Sequence, residues 1–130
     1  MPRTQRSSRS LSRNSSLALT LTLLLAGLVL AGGAGFRTQH LLDDHFARYG
    51  SQFGATTAQQ YLRLAQQLRD ANPGKNILAS KRPEGGGSKF DQKKGWFVAF
   101  DGDLTIRTFF IPKDGIRFFD RQQKNPKPPE

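Results

Sequence analysis

Two apolar runs late in the chain, GWFVAFD (residues 95–101) and DLTIRTFFIP (residues 103–112), constrain the fold most. Asp101-Gly102-Asp103 joins them, and Asp-Gly between aromatic and β-branched runs marks a β-hairpin. An apolar sheet face has to be covered by a second layer. The chain has no cysteine, so disulfides, thiolate catalysis and cysteine zinc sites are excluded. The domain must therefore rest on its apolar core. Ten phenylalanines, all after residue 35, can supply one.

The first part of the chain has a different character. Residues 1–16 carry Arg3, Arg6, Arg9 and Arg13 and no acid. Residues 17–31, LALTLTLLLAGLVLA, carry no charge, and small residues AGGAG follow. A positive flank, an apolar stretch and a small-residue exit are the parts of a secretory signal. The apolar stretch is short for a membrane span, which takes roughly 20 residues. Residues 1–35 read as a signal peptide, with an uncleaved single-pass anchor as the alternative. Residues 36–123 then form an exported domain and 124–130 a polar, Pro-rich, disordered tail. All ten acids lie after residue 35, with sixteen of the twenty Lys and Arg, which leaves 16 − 10 = +6 on the exported part. That excess attracts polyanions, or it is a basic surface without a dedicated partner.

Thr38 is placed to cap a helix running to about Tyr49, with Leu41, Leu42, Phe46 and Tyr49 at helical spacing. His45 points into that stripe and His40 lies nearer its edge. A second helix begins at Thr57, with Gln60 three residues later as a capping box. Its core face is Tyr61, Leu64, Ala65 and Leu68. NILAS reads as a short strand, KRPEGGGSK as a basic loop with a flexible Gly turn, and IRFFD as a further strand. The fold class is α+β: two N-terminal helices packed on a three- to four-stranded antiparallel sheet. Strict alternation in the last apolar run puts Leu104, Ile106, Thr108 and Phe110 on one face. If the helices cover that face, the Thr108 hydroxyl meets the stripe that holds His45.

The ordered pieces H-F-x-x-Y-G-x-x-F-G, Y-L-x-L-A-x-x-L, K-F-D, I-x-T-x-F-x-P and G-x-x-F-F resemble the toxin-type nuclease domains of the barnase–EndoU–colicin–RelE superfamily. The similarity spans roughly residues 39–123. It implies a metal-independent ribonuclease without cofactor, whose first-helix histidine matches His45 and whose strand threonine matches Thr108. The family's basic residue before the sheet fits Lys81, Arg82 or Lys89. Relatives often carry a second helix histidine where this chain has Tyr49. The phenol would then serve as general acid, or His40 would substitute.

The chemistry fits these residue types. RNA is cut without metal when its 2′-hydroxyl attacks the adjacent phosphorus, which needs a base, an acid and cations for the phosphoryl oxygens. In this reading His45, Thr108, Tyr49 and Lys89 are catalytic, and Lys81, Arg82 and His40 bind substrate. Trp96, Phe118 or Phe119 could stack on bases. RNA is the expected partner, with an immunity protein and transient or anchored membrane association through residues 17–31 as further expectations. Two histidines at i, i+5 do not share a helix face, so no metal site is expected. The competing reading is an exported, non-enzymatic binding module on the same scaffold, with its basic residues taking polyanions or a protein partner.

Overall fold

The computed structural model describes residues 33–124. Residues 1–32 of the expected signal or anchor (residues 1–35) and residues 125–130 of the expected tail (residues 124–130) lie outside the described residues. No helix among the described residues is long and apolar enough to cross a membrane.

The elements run α1 (Gln39–Tyr49), a 3₁₀ turn (Gly50–Phe53), α2 (Ala58–Asp70), β1 (Ile77–Lys81), β2 (Gly87–Asp91), β3 (Trp96–Phe100), β4 (Ile106–Phe110) and α3 (Ile116–Lys124). The strands form one antiparallel sheet in the order β1-β2-β3-β4. The Thr38 hydroxyl accepts from the Leu41 amide and starts α1. Thr57 does the same for α2 through Gln60, but the returning Gln60 carboxamide accepts from the amide and hydroxyl of Thr56, one residue earlier than a capping box predicts.

Both faces of the sheet are covered. On one face Val98, Ile106 and Phe109 pack against Leu42 of α1 and Tyr61, Ala65 and Leu68 of α2. Phe53 stacks on Phe109 with ring centroids 4.1 Å apart, and the buried Tyr61 hydroxyl donates to the Phe109 carbonyl. On the other face Phe90, Phe97 and Ala99 pack against Phe119 of α3. The segment expected as a further strand, IRFFD, is therefore a helix. The second face of the sheet is too apolar to stand in water, and only a covering layer can bury it.

The expected alternation fails at one point. Ala99 pairs with Thr108 and Phe100 with Ile106, so β4 carries an extra residue, Arg107, as a β-bulge. The bulge puts Ile106 and Phe109 together on the helix face. Thr108, the partner of Ala99, turns to the α3 face and is 2% exposed. The expected meeting of Thr108 with the His45 stripe does not occur.

The GGG run is a close-packed joint rather than a flexible turn. Gly86 has φ 76°, and a β-carbon there would collide with the Phe100 carbonyl and the Asp101 backbone. Gly86→Ala is expected to destabilise the domain by at least about 2 kcal/mol, from backbone strain and steric overlap together. Urea unfolding of the variant beside the parent chain measures this.

Candidate functional site

A cleft of about 550 Å³ opens between the start of α1 and the β3–β4 edge, lined by Arg37, Leu41, His45, Asp101, Thr105, Ile106 and Arg107. Three pieces of chain meet there. The N-terminal segment bridges β4 in parallel at Phe36 and Ile106, and the Ile106 amide donates to the Gly35 carbonyl. That segment brings Phe36 and Arg37 to the cleft. Helix α1 contributes His45, and the bulge contributes Arg107.

His45 is 6% exposed. Its Nδ1 donates to the Leu41 carbonyl at 2.9 Å, one turn back along α1. This bond leaves the lone pair of the neutral imidazole on Nε2. The Phe36 ring lies 4.9 Å from the imidazole, centroid to centroid. Burial is the main cause that holds the imidazole pKa below its usual 6.5, and Arg48 adds to it; the Leu41 carbonyl and Asp44 act the other way. At neutral pH His45 is thus an unprotonated base.

The cations beside it are arranged by one carboxylate. Asp101 accepts from Arg37 at 3.1 Å and from Arg107 at 3.2 Å. With His45 neutral, the two guanidiniums and Asp101 leave the cleft wall at a net charge of +1. Planar guanidiniums suit phosphate oxygens. Two guanidiniums and a basic imidazole can hold a phosphodiester and take a proton from a hydroxyl beside it.

The other expected site residues are placed elsewhere. The Tyr49 ring lies 6.0 Å from the His45 ring but packs on Phe110 at 5.5 Å and lies outside the cleft lining. His40 is exposed on the first turn of α1. Lys89 donates to the carbonyls of Arg69 and Ala71 at the end of α2, where a cation meets the helix dipole favourably. Burial lowers the Lys89 pKa, with Asp70 opposing. Lys81 and Arg82 stand at the β1–β2 turn and line a different concavity. The aromatics expected as base platforms are committed to packing: Trp96 meets Phe53 and Phe109 edge-on, Phe118 meets Phe97, and Phe119 is 1% exposed. Among the described residues no group of three or more His, Asp or Glu could hold a metal ion.

Arg37 and Asp101 were missed because nothing marks them locally, and Arg107 was missed with them. Arg107 is the one charge inside an apolar strand, which was the available signal. Arg69 was missed as well. It sits on α2 at 3% exposure and donates to the carbonyls of Ala34 and Leu104. Gln66 donates to the same Ala34 carbonyl at 3.1 Å. These bonds hold the segment that carries Phe36 and Arg37 into the cleft.

The depressed His45 pKa sets a pH dependence. Below its usual pKa the unfolded chain takes up a proton at this residue while the folded chain resists, so folding loses stability as pH falls from 6.5 through the folded pKa. The parent should therefore be less stable at about pH 5 than at about pH 7.5, and His45→Gln should remove that part of the difference. Urea midpoints of both chains at the two pH values check it. Removing the clamp by Arg69→Met should cost about 1–3 kcal/mol, because the Leu104 carbonyl loses its charged donor and the Ala34 carbonyl keeps only Gln66; the same unfolding measurement reads it. No family model and no curated protein matches the chain.

Proposed function

We propose that the protein is an exported, toxin-like, metal-independent endoribonuclease. The observation that carries this reading is the shared cleft of His45, Arg37 and Arg107. His45 Nε2 takes the proton of the RNA 2′-hydroxyl, which attacks the adjacent phosphorus. The bond to the 5′-oxygen breaks, leaving a 2′,3′-cyclic phosphate. Arg107 and Arg37 carry the charge that grows on the phosphoryl oxygens. Asp101 keeps both guanidiniums oriented toward the cleft. Tyr49 lies outside the cleft lining, so the His45 imidazolium formed in the first step returns its proton to the leaving 5′-oxygen. DNA lacks the attacking hydroxyl and is spared. RNA is then the partner, and an immunity protein would protect the producing cell.

One observation favours a second reading. His45 is almost covered by Phe36 and the helix, as it would be in a binding module whose two arginines take polyanions without turnover. The same assay separates the two. The full chain is incubated with tRNA and mixed single-stranded RNA in EDTA, and the product ends are identified. The ribonuclease reading expects cyclic phosphate ends. It expects a loss of about 10²–10⁴-fold in His45→Gln and about 10²–10³-fold in Arg107→Gln. Thr108→Val should retain activity, because that hydroxyl lies on the other face of the sheet. RNA that is bound and left intact by the folded parent selects the binding module.

A further inference from the structure

A second concavity of about 270 Å³ lies on the α3 face of the sheet, between the β1–β2 turn and the end of α3. Its polar lining is Ser80, Lys81, Arg82, Ser88, Gln122 and Gln123. We infer that it is a binding site for a phosphate group, separate from the His45 cleft.

The argument starts from the sign of the lining. Lysine, arginine, serine and glutamine can all donate hydrogen bonds, and the cleft contains no carboxylate. In the His45 cleft Asp101 occupies both arginines, whereas Lys81 and Arg82 form no ion pair among the described residues. Glu84 belongs to the same turn and reaches neither. Ser80 and Ser88 are cross-strand partners on β1 and β2, so their hydroxyls stand side by side. Ser88 is 7% exposed and its hydroxyl has no partner among the described residues. A buried hydroxyl without a partner is costly, and here it borders a cleft whose two charged groups, Lys81 and Arg82, can only donate. An oxyanion with several acceptor oxygens satisfies them together.

Size narrows the ligand. The cleft is at or below the lower end of small-molecule sites, about 300 Å³. A concavity of this size suits a phosphate group, and Ser80, Lys81, Arg82 and Ser88 also line an adjoining concavity of about 530 Å³ that leaves room for what the phosphate carries. Two sources share that chemistry: a sugar phosphate and a backbone phosphate of RNA. The site does not depend on the ribonuclease reading, since Arg37, His45 and Arg107 lie elsewhere.

The test is an NMR titration of the isotope-labelled full chain with inorganic phosphate. Saturable shifts are expected at the amides of Ser80, Arg82, Ser88 and Gln122. Arg82→Gln and Ser88→Ala should each weaken binding at these amides by about tenfold or more. Arg107→Gln should leave it unchanged. Ribose 5-phosphate and a short single-stranded RNA, titrated in parallel, identify the source by which shifts the same amides at lower concentration. The inference is overturned if phosphate moves only the residues of the His45 cleft, or if both variants, shown to be folded, bind phosphate like the parent.

Discussion

The β-bulge at Arg107 governs how the two halves of this domain meet. A regular β4 would send Ile106, Thr108 and Phe110 to one face and Arg107 and Phe109 to the other. The extra residue instead gives Ile106 and Phe109 to the helices and Thr108 and Phe110 to α3. Ile106 and Phe109 then share the helix face instead of opposing each other, and each face requires its own covering layer. The residue left over by the bulge is a charged one at the edge of the sheet, where it meets Asp101 and the cleft. Bulges near sheet edges re-aim side chains in this way. Here the same irregularity partitions the core and places a cation.

The cleft is assembled from parts far apart in the chain, and a buried arginine holds the most remote of them. Arg69 reaches from α2 to the carbonyls of Ala34 and Leu104. It thereby ties the N-terminal segment and the β3–β4 turn to one helix. Leu104 has φ 71°, a conformation unusual for a leucine, and the bond to its carbonyl helps to hold it there. The segment tied down by Arg69 presents Phe36 to His45 and Arg37 to Asp101. The low-dielectric side of His45 is thus created by residues that precede its helix. That contact adds to the burial that is the main cause of its lowered pKa.

Much of the scaffold was legible locally. Thr38 and Thr57 are caps because a side-chain oxygen one turn ahead of an apolar stripe has a free amide to bind. Tyr61, Ala65 and Leu68 of the α2 stripe are buried as its spacing requires, with Leu64 half-buried, and the strands around Asp101-Gly102-Asp103 pair as a hairpin. The first helix placed His45 in the core face, as its spacing to Leu41 and Leu42 suggested. What failed was information that depends on the second face of the sheet. IRFFD has too few residues for its period to separate a strand from a helix. The GGG run contains no side chains, so nothing local distinguishes a loose turn from a backbone joint. Thr108 was assigned to the wrong layer because alternation cannot register one inserted residue.

From the sequence alone, much of the local physics of this protein was already determined: the first two helices and their caps, the hairpin of the two long apolar runs, that no disulfide supports them, and that one imidazole enters an apolar stripe. These follow from hydrogen-bonding capacity and apolar spacing within a dozen residues. Only the tertiary structure decided which charges share a cleft with that imidazole. Arg37, Asp101 and Arg107 meet there because a bulge, a buried arginine and a parallel bridge bring three distant stretches of chain together. Contacts of that range depend on how whole layers pack, and no local pattern of residues encodes them.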